Sequence, residues 1–123
     1  MPEANQPADL LLIVTTVDEE AQARSMARSV IEKGLAACVQ IACIDSVYRW
    51  EGAVQEAAEW QLSCKVAPAH AQALWQALLA MHPYEVPMLY ALPVAQVHQA
   101  YAQWALQMCS LVPPAGETGA API

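Results

Sequence analysis

The middle of the chain, residues 35–66, reads LAACVQIACIDSVYRWEGAVQEAAEWQLSCKV. Residues 35–50 are rich in Val, Ile, Tyr, Trp and Cys, a composition that favours a β-strand. Glu51-Gly52 is a typical turn pair. From residue 58 onward apolar and polar residues alternate, as expected for a strand with one buried face. The apolar set is Ala58, Trp60, Leu62, Cys64 and Val66, and the polar set is Glu59, Gln61, Ser63 and Lys65. The segment therefore predicts a long β-hairpin with one apolar face.

The flanking segments predict two helices and two further strands around this hairpin. Residues 9–17 are apolar on both faces and predict a central strand. A helix follows to about Lys33, with Asp18 as its N-cap and Gly34 as its C-terminal cap. Its predicted buried stripe is Ala23, Ala27, Val30 and Ile31, and its charged face is Glu20, Arg24, Arg28 and Glu32.

Beyond the hairpin, the same reasoning predicts a second helix, a short strand and a last helix. Pro68 suits the first turn of the second helix, which ends at His82-Pro83. A short strand spans residues 88–92, and the last helix spans residues 97–109. The order β-α-β-β-α-β predicts an α+β, ferredoxin-like split βαβ fold with an extra C-terminal helix. The helices cover one face of its sheet, and we expect the other to be bare.

Composition narrows the classes of function. The 123 residues fit one domain, predicted at 9–110, with a flexible N-terminus at 1–8 and a disordered tail at 111–123. A net charge of −7 argues against nucleic acid and anionic membrane surfaces as partners. Hydrophobic residues make up 57% of the chain, which suggests a buried contact between copies.

With no secretory signal evident, we expect four reduced cysteines in a cytoplasmic protein. Cys38, Cys43 and Cys64 are expected to be buried, and Cys109 to be exposed.

The segment 81–87, MHPYEVP, holds the strongest candidate site. Proline restricts the residue before it, so His82 is expected where a helix stops and the chain turns extended, near Tyr84 and Glu85. Two interpretations of His82 stand. It is either a metal ligand or proton carrier, or a helix-end histidine that hydrogen-bonds locally.

Five separated motifs stand in a fixed order along the chain: Ala36-Ala37-Cys38-Val39, Ser46-Val47-Tyr48, Trp50-Glu51-Gly52, His82-Pro83-Tyr84-Glu85 and Leu92-Pro93-Val94. In order and spacing they resemble the CutA family of divalent-cation tolerance proteins. The resemblance covers about residues 9–108. It implies a stable homotrimer, similar to PII signalling proteins, with a role in tolerance of copper and other divalent metals and no enzymatic reaction.

The resemblance also implies a metal site, which this sequence departs from. The family's proposed copper ligands are a cysteine in the first strand and two adjacent histidines before Pro-Tyr. Thr15 and Met81 stand at two of these positions, so His82 alone remains. Met81 sulfur suits cuprous copper, although Met81 also fits the apolar stripe of its helix. Cys38 is a further, weaker candidate, with a buried apolar role as its alternative.

Other residues are candidates for a ligand cleft between subunits. Lys65 and Glu59 lie on one side of the third strand, about 20 Å apart, so each needs a partner on a neighbouring strand or subunit. They either line a polar pocket between subunits, with Lys65 as an anion or substrate contact, or form an interface salt bridge. Trp50 anchors the hairpin turn or contacts a ligand, and Tyr84 and Glu85 complete the set. Two hypotheses follow. One is a trimeric copper- or zinc-binding protein without turnover, and the other is a PII-like module that binds a small molecule or a partner protein.

Overall fold

A computed structural model describes residues 8–109, and the elements follow the predicted order. A short 3₁₀ turn, Pro68–His70, precedes the second helix. The elements are β1 (Leu11–Val17), α1 (Glu20–Glu32), β2 (Cys38–Trp50), β3 (Ala53–Val66), α2 (Ala71–Met81), β4 (Leu89–Pro93) and α3 (Gln99–Met108). The predicted flexible N-terminus, apart from residue 8, and the predicted tail lie outside the described residues.

The four strands form one antiparallel sheet in the order β2-β3-β1-β4. β1 lies between β3 and β4, with Thr15 opposite Leu62 on one side and Leu89 on the other. The hairpin partners β2 and β3 therefore flank one side of β1, while β4 returns to its other side after α2. This is the split βαβ arrangement, so the predicted α+β, ferredoxin-like fold is confirmed.

The core lies between the two covering helices and one face of the sheet. Ile13 and Cys64 are paired across β1 and β3, and both are buried with Leu62 on what we call the core face. Leu74 and Leu78 of α2 and Val30 of α1 belong to the same buried cluster. Each such side chain stabilises the fold by roughly 1.5–3 kcal/mol through removal of apolar surface from water.

Helix α1 confirms most of its predicted features and corrects two. Its C-terminus is a Schellman motif, in which Leu35 N–H donates to Val30 C=O and Gly34, at φ 68°, donates to Ile31 C=O. The prediction of Asp18 as N-cap is wrong, because Glu19 holds that position without a side-chain cap bond. Ile31 is 40% exposed and Met26 is buried in its place. The helix is thus rotated toward Met26 by tertiary packing.

The exposed face of α1 matches its prediction. Arg24 and Glu20 form a salt bridge at 2.8 Å, and Arg28 and Glu32 form another at 3.6 Å. Both are i, i+4 pairs on an exposed surface, where each stabilises a helix by only about 0.3–0.5 kcal/mol. The charged face therefore contributes mainly solubility.

The cysteines are distributed differently from the prediction at two positions. All four are free, and Cys38 and Cys64 are buried as expected. Cys43 is exposed, because it lies near the end of the region that β1 supports. Cys109 is buried, and its sulfur accepts a hydrogen bond from Ala67 N–H at 3.4 Å. Position near the chain end was therefore a poor guide to exposure.

The hairpin extends well beyond the rest of the sheet. Its strands are 13 and 14 residues long and pair in register up to Trp50 opposite Ala53. Glu51 and Gly52 both have positive φ, 50° and 79°, as a tight two-residue turn requires. β1 ends at Val17, opposite Trp60, so residues 44–59 have no neighbouring β1 strand. We call residues 44–59 the hairpin tip.

The second face of the sheet is only partly bare. Val14, Thr16 and Cys38 point away from the core face by register, yet all three are buried. Burial and then the nearby Cys38 thiol raise the pKa of Tyr101 in α3, so the last helix lies against this face. The expectation of a fully bare face is therefore wrong.

Within residues 8–109, no helix has the length and apolar character needed to cross a membrane.

Candidate functional site

The segment after α2 crosses the end of β1 and is held there by His82. Because Pro83 follows, His82 leaves the helix with an extended backbone, at φ −71° and ψ 132°. Its Nε2 lies 3.0 Å from Thr16 C=O and 3.1 Å from Thr15 Oγ1. Tyr84 N–H donates to His82 Nδ1 at 3.1 Å. The predicted extended corner is therefore present, with three short contacts around one imidazole.

These contacts define the state of the imidazole. A carbonyl only accepts, so Nε2 carries the proton and donates to Thr16 C=O. A backbone N–H only donates, so Nδ1 is unprotonated and its lone pair is occupied by Tyr84. The ring is the neutral Nε2–H tautomer, with both nitrogens engaged locally. The His82 and Tyr84 rings also meet edge-on, with centroids 4.9 Å apart.

A second hydrogen bond fixes the far end of the same segment. Thr15 Oγ1 donates to Met88 C=O at 2.6 Å. Thr15 is fully buried on β1, so its hydroxyl needs this acceptor. We call residues 82–88 the crossing loop. Both ends of the loop are bonded to the last residues of β1, and this places its middle beside the hairpin tip.

A cleft of about 670 Å³ lies between the crossing loop and the hairpin tip. Most of its wall is aromatic or aliphatic, and Glu59 and Glu85 contribute carboxylates. The lining residues are Thr16, Ile44, Ser46, Val47, Tyr48, Trp50, Glu59, Tyr84, Glu85, Val86 and Met88. A volume in the range of roughly 300–1,000 Å³ suits a small organic ligand.

The electrostatic environment of the cleft is negative. Burial, followed by the charges of Asp18 and Glu59, raises the pKa of Tyr84 to about 12. Among the described residues, none of those lining the cleft is Lys, Arg or His. Tyr84 is thus a neutral hydrogen-bond donor at physiological pH, in a region that favours positive charge.

The cleft gathers four of the five predicted ligand-binding candidates. Trp50 and Glu59 come from the hairpin, and Tyr84 and Glu85 come from the crossing loop. Lys65 lies elsewhere, because it pairs with Leu12 and Cys38 near the other end of β3, and its ammonium donates to Gln40 Oε1.

The sequence reasoning missed Tyr48, Ile44 and Met88 as lining residues. Tyr48 and Ile44 lie at even spacings from Trp50 on β2, so they share its face. That alternation is a signal that the sequence carried. Met88 follows the last proline of the crossing loop, and the hydrogen bond from Thr15 and the pairing of Leu89 with β1 fix its backbone beside the cleft.

The three predicted metal candidates are not brought together within one copy. His82 contacts Thr15 of β1. Cys38 lies at the level of Leu12, because both are opposite Lys65 in the sheet. Leu12 is three residues, or roughly 10 Å, from Thr15 along β1. Met81 is half-buried and packs against the core. In residues 8–109 no group of three or more His, Cys, Asp or Glu is placed to hold a metal ion. The donors of a single copy therefore do not fit a metal centre.

Comparisons with known proteins agree with this architecture. The family model described as "CutA1 divalent ion tolerance protein" matches residues 11–108. Protein CutA of Mus musculus is 36% identical over 111 residues, covering 89% of this chain and 63% of its own length. The chain thus spans about three fifths of the mammalian relatives it matches.

Prokaryotic relatives are matched over nearly their whole length. The divalent-cation tolerance protein CutA of Thermus thermophilus is 38% identical over 94 residues, covering 76% of this chain and 91% of its own. The structure of the periplasmic divalent cation tolerance protein CutA from Archaeoglobus fulgidus superposes with a TM-score of 0.79. It is 28% identical and covers 82% of this chain and 99% of its own. The chain therefore belongs to the CutA1 divalent ion tolerance protein family.

Proposed function

We propose that this chain acts in divalent-cation tolerance as a homotrimeric binding protein without catalytic turnover, and that its ligand site is the cleft beside the crossing loop. The role in tolerance follows the names of its relatives. The observation that carries the choice of site is the engagement of both His82 nitrogens beside a formed cleft. The geometry thus favours ligand binding in the cleft over chelation by His82.

Exposed apolar surface supports the homotrimer. At the hairpin tip Val47 is 65% exposed and Val54 is 63% exposed, and on β4 Leu92 is 48% exposed. In the described residues, β2 pairs only with β3 and β4 only with β1, so each has one unpaired edge. Free edges and apolar side chains together favour association with further copies. Sedimentation equilibrium should give three times the 13.3 kDa mass of one chain.

This proposal resembles the function of PII-like modules, in which clefts between subunits bind a small molecule or a partner protein. A thermal-shift screen with nucleotides, small carboxylates and divalent metals tests it. A ligand present at about 100 times its Kd stabilises the folded state by about 2.7 kcal/mol, which is a shift of several degrees in Tm.

Two matched variants assign any ligand to the cleft. Ser46→Trp fills the cleft with a large side chain and should abolish the shift. Ser25→Trp adds the same side chain at an exposed position of α1 and should preserve it. A shift that survives Ser46→Trp unchanged would place the ligand elsewhere and refute the proposed site.

Direct binding of copper or zinc at His82 is the second candidate, and the naming of the relatives favours it. It requires a metal to displace either Tyr84 N–H or Thr16 C=O from the imidazole, with further ligands from other copies. Calorimetric titration with copper(II) and zinc(II), wild type against His82→Ala, separates the candidates. Saturable binding that the substitution abolishes supports chelation, and identical weak binding in the two proteins argues against a metal site at His82.

We further propose a cytoplasmic location and no nucleic-acid partner. The four cysteines are free thiols, which suits a reducing compartment, although one relative is described as periplasmic. The net charge of −7 disfavours phosphate backbones. Cell fractionation with tagged protein tests the location, and recovery from the periplasm would refute it.

A further inference from the structure

We propose that the cleft binds a small organic cation, an ammonium or guanidinium group that carries an apolar substituent. This inference rests on the proposed role of the cleft as the ligand site and names the chemical class of its ligand. Three features carry it: the sign of the charge in the cleft, the aromatic surface, and the absence of a chelating set.

The charge of the cleft selects for a cation. Glu59 and Glu85 both line the cleft, and Asp18 is close enough to act on Tyr84. Among the described lining residues no basic side chain neutralises these carboxylates. An anionic ligand would add like charge to an already negative region. A cation would instead gain charge-assisted contacts with Glu59 or Glu85.

The wall of the cleft selects for an organic group rather than a bare ion. Tyr48, Trp50 and Tyr84 present three aromatic side chains, and Val86 and Met88 add aliphatic surface. Aromatic faces attract ammonium and guanidinium groups through their quadrupoles, and tryptophan does so best. Apolar walls favour a substituent that removes surface from water.

The same residues do not suit a divalent metal. Within residues 8–109 the acidic side chains form no group of three placed around one point. Hard divalent cations require about six oxygen ligands. Two carboxylates beside three aromatic rings satisfy a monovalent organic cation better, because its charge is spread over a larger volume and its desolvation costs less.

Three probes of one size and different charge test the proposal. Benzylammonium, benzyl alcohol and benzoate are each titrated at pH 7 into the native assembly, followed by calorimetry and tryptophan fluorescence. We expect saturable binding of benzylammonium, at least about tenfold tighter than benzyl alcohol, and no binding of benzoate.

Charge-neutralising variants locate the interaction. Glu59→Gln and Glu85→Gln should each weaken benzylammonium several-fold and leave benzyl alcohol unchanged. Glu56→Gln is the matched control, because Glu56 lies on the same strand, is exposed and does not line the cleft. Circular dichroism verifies the fold of each variant, and two independent positions keep the test decisive if one fails to fold.

Each result has a defined meaning. Equal binding of the charged and neutral probes overturns the selection for a cation, although the cleft would remain the ligand site. Binding that survives Ser46→Trp overturns both the class and the site. Failure of all three probes to bind overturns the proposal. A change of oligomeric state in Glu59→Gln would then show that the carboxylate pairs with another copy of the chain.

Discussion

The two ends of the β-hairpin have the same kind of sequence and different surroundings. At its base Leu62, Cys64 and Val66 are fully buried on the core face. At its tip Val47 and Val54 are 65% and 63% exposed, although they occupy equivalent alternating positions. The change occurs where β1 ends, opposite Trp60. Alternation therefore shows which side chains share a face, but the length of the neighbouring strand determines which of them are buried.

This difference separates the tasks of the two ends. The base contributes to the folding of a single copy, because its apolar residues contact α1 and α2. The tip contributes little to that core, yet it supplies Tyr48, Trp50 and Glu59 to the cleft. Apolar residues that the fold of one chain does not need are available for a ligand or another copy.

The largest expected effect comes from truncating the base. Leu62→Ala should lower the free energy of unfolding by about 2–5 kcal/mol, because Leu62 is fully buried and its loss leaves a cavity. Val54→Ala at the tip should change the folding of one copy by less than about 0.5 kcal/mol and weaken association instead. Urea unfolding at several protein concentrations, with sedimentation, separates the stability of one copy from the free energy of association. Comparable losses at low protein concentration would remove the distinction between base and tip.

The next effect is expected at His82, which joins the crossing loop to β1. His82→Ala removes the acceptor of Tyr84 N–H and the donor to Thr16 C=O. We expect destabilisation by about 1–3 kcal/mol and loss of protection of the Tyr84 amide in hydrogen exchange. His98→Ala is the control, since His98 is an exposed residue at the start of α3 without a side-chain cap bond. Unchanged protection at Tyr84 would show that the loop holds its place without the imidazole.

A smaller effect is expected at the turn that closes the tip. Gly52 has φ 79°, and a Cβ there meets nothing within 4 Å. Gly52→Ala should therefore cost about 1–2 kcal/mol through backbone strain alone. Glu51→Gly, at φ 50° in the same turn, should lie within about 0.5 kcal/mol of wild type, because relief of strain offsets added chain entropy. Equal effects of the two substitutions, measured by urea unfolding, would contradict a strain origin.

The sequence predicts the features that depend on neighbouring residues. The hairpin, its Glu51-Gly52 turn and the end of α2 before Pro83 follow from alternation and from the restricted backbone of these residues. The burial of Met26 in place of Ile31 did not follow, because packing against the sheet sets the rotation of α1. Local sequence patterns determine where helices and strands form, and tertiary contacts determine which face of each helix is buried.

Several residues that line the candidate cleft could be named from the sequence, whereas the shape of the cleft could not. Trp50, Glu59, Tyr84 and Glu85 were identified as candidates, yet they come from segments about 25 residues or more apart. The antiparallel pairing of β1 with β3 and with β4, together with the bonds from Thr15 and His82, brings the crossing loop to the hairpin tip. Lys65, predicted from its charge and its place on the polar face of β3, lies at the other end of that strand.

The smallest effect concerns the phenol that links loop and tip. Burial and then the carboxylates of Asp18 and Glu59 raise the pKa of Tyr84 to about 12, from an ordinary value near 10. Because the folded state keeps this proton more tightly than the unfolded state, its contribution to stability is fully present below pH 10 and is lost between about pH 10 and 12. Tyr84→Phe should remove one high-pH step from the absorbance titration at 295 nm and flatten the decline in stability over that window.

Glu59→Gln sharpens this last test because it removes one of the negative charges beside the ring without removing the phenol. The Tyr84 step should move to lower pH, while Glu56→Gln at the exposed tip leaves it in place. A Tyr84 step that does not respond to Glu59→Gln would mean that burial and Asp18 hold the proton, and Glu59 would then not supply the negative charge that we assign to it in the cleft.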